Sequence, residues 1–307
     1  MVKQLRHYDL MVAGATSGFI TRATCQPLDV IKIRFQLQVE PISHKSTSKY
    51  RSIIQAASLI VKEEGLKGLW KGHVPAQLLS ISYGLVQFWS FDTLMNQSKL
   101  LRLDSRYKPL VTFACGSIAG CSATLASFPF DVIRTRLVAQ GKQRRLYSGV
   151  IDAFKYIFKN ESVFVLYRGI LPTFIQVAPH AGAQFLSYKV FDNVYRSLFN
   201  LAENTYTLSG NLISGSLAGF VAKTMVYPFD LVKKRMQIQG VHQHRKEFGE
   251  VFYCRGMIDC CRKIFRKEGP FGLFKGLYPS LWKAVFTTAM HFATFEGTCK
   301  IISDYRA

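Results

Sequence analysis

Long stretches without charge alternate with short charged segments along the whole chain. With His counted as neutral, residues 72–91, 109–130, 169–188 and 204–222 contain no Asp, Glu, Lys or Arg. Two more stretches, 10–21 and 276–295, have the same character except that Arg22 ends one and Lys283 splits the other. Each is near the roughly 20 residues that cross a hydrocarbon core as a helix. The pattern therefore predicts six long helices in an all-α membrane protein. Polar groups inside them (Gln77, Ser80, Ser82, Gln87, Gln176, Gln184) are costly against lipid and sensible against water. The linking segments differ in kind. "VEPISHKSTSKY" reads as a polar loop, whereas "SIIQAASLIVKEE" places Ile53, Ile54, Ala57, Ile60 and Val61 on one stripe, the mark of a short amphipathic helix.

The same units recur. "PLDVIKIR" begins at residue 27, "PFDVIRTR" at 129 and "PFDLVKKR" at 228, steps of 102 and 99 residues. A pair of glycines four apart precedes each: Gly14/Gly18, Gly116/Gly120 and Gly215/Gly219. A second landmark follows each, ending at Gly72, Gly169 and Gly276. From Tyr50, Tyr147 and Cys254 onward the three copies align without a gap, at offsets of 97 and 204. Fixed-period similarity of this kind marks tandem units. We expect three two-helix repeats, 1–102, 103–203 and 204–307, forming a threefold pseudosymmetric barrel with three short amphipathic helices.

The triplicated cluster has a mechanical reading. Asp29 and Lys32 are three apart, so they share one helix face. Pro27 removes a backbone hydrogen bond and bends the helix there. Repetition sets Asp29, Asp131 and Asp230 in a ring with Lys32, Arg134 and Lys233. Each acid can face a base of a neighbouring repeat, closing one end of a central passage. Ion pairs in a partly wet place are breakable when a ligand compensates, as a gate requires. Gln36 and Gln237, nine residues after their prolines, are expected to brace a bridge, and Val138 at the equivalent place cannot.

Charge narrows the class of partner. Forty Lys and Arg against 19 Asp and Glu give a net charge of +21, which points to nucleic acid, acidic lipid or a phosphorylated small molecule. A membrane-attached nucleic-acid binder is disfavoured, because the bases are shared among three repeats. No nucleophile–base pair, Gly-rich phosphate loop or metal-ligand spacing is present, so no enzyme, cofactor or metal site is expected. The seven cysteines are scattered without CxxC spacing and read as small apolar fillers. The N-terminus runs straight into the first long helix, without the form of a cleavable signal.

The motif PxDxx[KR]x[KR], three times at about hundred-residue intervals with a following EGxxxx[WYF][KR]G, resembles the mitochondrial carrier family over essentially all 307 residues. That resemblance implies a multi-pass solute carrier of the mitochondrial inner membrane. It would work by alternating access, with its short helices in the matrix and the proline motifs as a matrix gate. Repeat two departs from the pattern with Glu161-Ser162 in place of an acid and Gly. The family's cytoplasmic gate, [FY][DE]xx[KR], is degraded here: Asp92 and Glu296 lack their bases at Met95 and Cys299, and Lys189 and Asp192 reverse the order. The resemblance therefore implies a strong matrix gate and a weak cytoplasmic one.

The resemblance implies substrate contacts on the even helices seven residues beyond each landmark glycine: Leu79, Gln176 and Lys283. One turn on come Tyr83, His180 and Thr287, then Gln87, Gln184 and His291. Five before each proline lie Arg22, Thr124 and Lys223. Arg22, Lys223 and Lys283 are three cations within apolar spans, and together they specify an anionic ligand such as a di- or triphosphate. Trp282 and Tyr83 would suit a heteroaromatic ring. Local wording such as "WKGHVPAQLLSISYGLVQF" and "FKGLYPSLWKA" is similar to family members that carry thiamine pyrophosphate. It implies uptake of that substrate, with nucleotides as counter-substrate. Adenine-nucleotide and coenzyme A carriage are the alternatives. Cardiolipin as bound lipid and a monomeric state are further expectations of the resemblance.

Overall fold

The computed structural model describes residues 7–40, 48–100, 108–141, 145–199, 208–240 and 253–305. Most of the polar loop expected at 39–50 lies outside them. Every regular element among these residues is helical, and the order repeats three times. Long helices α1 (His7–Leu37), α4 (Lys108–Ala139) and α7 (Leu208–Gln237) open the repeats. Short helices α2 (Ile53–Glu64), α5 (Val150–Asn160) and α8 (Met257–Glu268) follow. A 3-10 turn then leads into α3 (His73–Leu100), α6 (Ile170–Leu198) and α9 (Leu277–Tyr305). The motif prolines Pro27, Pro129 and Pro228 lie inside their helices, which continue about three turns beyond them.

The chain forms two compact units. Unit 1 is Met1–Val30, Ala57–Tyr167 and Val285–Ala307, and unit 2 is Ile31–Ala56 and Arg168–Ala284. In unit 1, α3 packs along α4, and α1 joins α9 through Ser17, whose hydroxyl meets His291 Nδ1 at 2.9 Å and Thr294 Oγ1 at 2.8 Å. In unit 2, α6 packs along α7. There α8 closes over a small core of Leu231, Val232, Cys254, Cys260 and Ile264. The paired glycines of the long helices face open space, or a distant Phe91 at Gly116. The buried small stripes lie beside them: Ala13 and Ser17, Ala119 and Ala123, Ala218 and Ala222.

The landmark glycines explain why the second half of each repeat starts where it does. Gly72, Gly169 and Gly276 adopt φ of 74°, 88° and 81°, a left-handed turn that side chains resist. Each also sits against the main chain of the next repeat's proline-motif helix. A Cβ would lie 3.2 Å from the Arg134 carbonyl oxygen at Gly72, 2.9 Å from that of Lys233 at Gly169, and 3.3 Å from that of Lys32 at Gly276. The departure at Glu161-Ser162 is accommodated in the same terms. Gly269 ends α8 at φ 72°, whereas Glu161 ends α5 in an extended conformation at φ −129°, where glycine is unnecessary.

Candidate gate and anion-binding residues

Within each unit an ion pair joins a first base and an acid of the proline motifs. In unit 1, Arg134 Nη2 meets Asp29 Oδ2 at 2.5 Å, with both side chains under a tenth exposed. In unit 2, Lys32 Nζ stands 3.8 Å from Asp230 Oδ2. Each acid thus takes the base of the following repeat. Asp131 is buried on α4, and Lys233 is half-buried on α7.

The second base of each motif does different work. Arg136 is fully buried and bidentate to Glu161 at 2.8 and 3.0 Å, and it also donates to the Tyr147 hydroxyl at 3.1 Å. Burial pushes the Tyr147 phenol up, so it stays neutral beside the guanidinium. Arg235 pairs with Glu268 and donates to the carbonyls of Gln36 and Gln38. Arg34 donates to the Tyr50 hydroxyl at 3.0 Å. Glu64 and Glu268, the acids before the landmark turns, also hold Lys71 and Lys275 of the [KR]G step. Burial lowers the Lys275 ammonium, with Glu268 pulling the other way.

Gln36 and Gln237, the expected bracing amides, are both fully buried. Gln36 donates to the Tyr227 hydroxyl at 3.1 Å, and Tyr227 donates on to the Lys275 carbonyl at 2.8 Å. Gln237 accepts from Lys234 and lies beneath Gly169. An amide at the first bridge is Gln26, which accepts from Arg134 at 3.5 Å and donates to the Lys71 carbonyl at 2.8 Å. Gln26 and Tyr227 are the residues just before Pro27 and Pro228, a repeat-equivalent slot filled by Phe128 in the middle copy. Their shared place was the available signal, and sequence reasoning passed over it.

The expected substrate residues divide. On α6 and α7, Gln176, His180 and Lys223 line one cavity of about 370 Å³ with Val177, Ala181 and Val226. The Gln176 Oε1 is buried without a partner there. Lys223 is not the uncompensated cation its surroundings in the sequence suggest: its Nζ donates to Asp230. The cause is spacing, since seven residues are two turns and place both side chains on one helix face. On α1, Arg22 is half-buried in the field of Arg134, Asp29 and Asp131. Lys283 is half-buried on α9, next to the unpartnered Thr287 hydroxyl one turn on. Leu79, Tyr83 and Gln87 lie half-buried on α3, and Gln184 is exposed on α6. Trp282 is 53% exposed and meets the exposed Tyr278 edge to face, apart from this polar set.

The four residues expected at the cytoplasmic gate are exposed or satisfied within their own helices. Asp92 accepts from Asn96 and Asp192 from Arg196, each one turn along. Lys189 and Glu296 are exposed.

Comparison with known proteins places this geometry. The model of the "Mitochondrial carrier protein" family matches three times, over residues 3–99, 105–198 and 204–306. The Bos taurus "Mitochondrial thiamine pyrophosphate carrier" is 42% identical over 305 residues, covering 99% of this chain and 96% of that one. The Homo sapiens protein of the same name is 43% identical over 298 residues, covering 96% and 92%. The Zea mays "Mitochondrial thiamine diphosphate carrier 2" is 38% identical, covering 96% and 93%. Matched by the family model in all three of its repeats, the chain belongs to the mitochondrial carrier family.

Proposed function

We propose that this chain is a multi-pass carrier of the mitochondrial inner membrane that moves thiamine pyrophosphate into the matrix, with nucleotides as the counter-substrate. The observation that carries this reading is the α6–α7 cavity. A cation, a carboxamide whose NH2 can donate to an anion and an imidazole converge there, and full-length relatives carry that substrate in their names. A diphosphate supplies the charge that Lys223 favours and the acceptor oxygens that donor groups need. Lys283 and, in the other unit, Arg22 are assigned as further substrate-contacting cations, and the Asp29–Arg134 and Asp230–Lys32 pairs are assigned to the matrix gate.

Membrane insertion of all six long helices fits their surfaces. Two of them, Lys108–Ala139 and Gly210–Gln237, are long and apolar enough to cross by length and composition. Large apolar side chains also stand exposed on others, including Phe88 at 76%, Phe185 at 73% and Phe292 at 62%. Surfaces of that kind seek lipid. The repeat-equivalent Ile54, Ile151 and Ile258 are exposed in the first turn of each short helix. The α5 and α8 N-caps are Gly149 and Gly256, without side-chain caps. Free amides beside apolar surface suit an anionic lipid such as cardiolipin.

Liposomes reconstituted with the protein and loaded with nucleotide provide the test. Labelled thiamine pyrophosphate should enter saturably and leave when unlabelled substrate is added outside. Uptake of adenine nucleotide or coenzyme A without thiamine pyrophosphate would move the reading to another phosphorylated anion.

A further inference from the structure

We propose that Lys223 is a shared cation for which the substrate phosphate and the gate carboxylate Asp230 compete. Seating the anion then withdraws one of the bases that hold Asp230. The proposal rests on the α6–α7 cavity being the phosphate site. Lys223 lines that cavity with Gln176 and His180, yet its ammonium is bonded to Asp230 two turns further along α7. The two Cα atoms are about 10 Å apart along the axis, so the lysine stem reaches along the helix toward the gate. An anion level with Gln176 and His180 draws it back.

The cost of that exchange falls on one ion cluster. Asp230 has Lys223 in hydrogen-bond contact and Lys32 at 3.8 Å, with Lys233 also in its field. The bonded side chains keep some solvent exposure, 13% for Asp230, 15% for Lys32 and 27% for Lys223. They are wet enough to exchange partners and dry enough for the partner to matter. Asp29 in unit 1 is held differently, by a planar guanidinium at 2.5 Å that also bonds Gln26. At the position equivalent to Lys223, Arg22 lies in the field of two acids and a base. The linkage must be reciprocal: a ligand that takes Lys223 weakens the hold on Asp230, and anything that removes Asp230 frees Lys223 for the ligand.

Thermal-shift titration of the purified protein with thiamine pyrophosphate and, separately, with inorganic pyrophosphate tests this. Asp230→Asn should tighten binding of pyrophosphate by a factor of roughly five or more. Asp29→Asn, which unlatches the other pair and leaves Lys223 on Asp230, should not. Lys32→Ala removes the cation that shares Asp230 with Lys223, so Asp230 holds Lys223 more firmly, and it should weaken binding. Unchanged or weaker binding in Asp230→Asn overturns the proposal, as does an equal gain in Asp29→Asn, which would trace the effect to gate loosening. Should Asp230→Asn not fold, Lys32→Ala decides: weaker binding supports the competition, and unchanged or tighter binding overturns it. If the wild type binds pyrophosphate but not thiamine pyrophosphate, the substrate assignment fails and the competition is still judged. If it binds neither, both fall.

Discussion

Single side chains at the proline motifs fall into two groups, those that hold and those that release. Arg136 belongs to the first: fully buried, bidentate to Glu161 and bonded to Tyr147. Glu161→Gln leaves that guanidinium with a neutral partner in a dry site and should cost about 3 kcal/mol of stability. It would show as a lowered thermal midpoint in detergent, and an unchanged midpoint would mean the pair contributes little. Lys223, Asp230 and Lys32 belong to the second group, and so does Lys283 in our reading. Lys283→Ala should reduce exchange in liposomes by at least about tenfold, the usual scale of a hydrogen bond to a charged group, while the thermal midpoint stays put. At this scale the sequence was only partly legible. Residue type and depth marked Arg22, Lys223 and Lys283 as cations with a purpose. Yet which acceptor a flexible lysine takes depends on rotamers and competing partners, and spacing alone does not rank them. Gln26 and Tyr227 stayed hidden because an amide and a phenol carry no charge pattern to notice.

Helices and turns were far more legible, because their signals are local. Apolar runs marked the long helices and glycine marked the turns that need positive φ. The apolar stripe marked α2 as a helix but misplaced its packed face, since Ala56 and Ile60 are buried and Ile54 is 83% exposed. The repeat brought out Glu161-Ser162 as an exception, and an extended residue at the end of α5 explains it. Not every glycine is equally informative, which can be checked. Gly169→Ala meets both a left-handed φ of 88° and the Lys233 carbonyl at 2.9 Å from the new Cβ. It should lose about 2 kcal/mol or more. Gly149→Ala, extended at φ −172° with nothing near the added carbon, should move the thermal midpoint little. Equal losses at the two sites would show that helix entry, not the seat on α7, sets the requirement.

For the molecule as a whole, the function we propose depends on charges that hold one arrangement without making it permanent. The Asp29–Arg134 pair is the better place to test this, since at Lys32–Asp230 the third cation Lys223 complicates any exchange of charge. Asp29→Arg with Arg134→Asp should restore exchange in liposomes to several times the rate of either single variant. Losses that simply multiply would mean the two residues act independently. The landmark glycines bear on how such a scaffold changes over time. Each knuckle seats a glycine against the main chain of the next repeat's proline-motif helix and against side chains such as Val138, Gln237 or Gln36, and neither Gln176 nor His180 is among those nearest neighbours. Mutation can therefore refashion the cargo chamber for a different anion while the bearings on which the gate helices rest keep their shape.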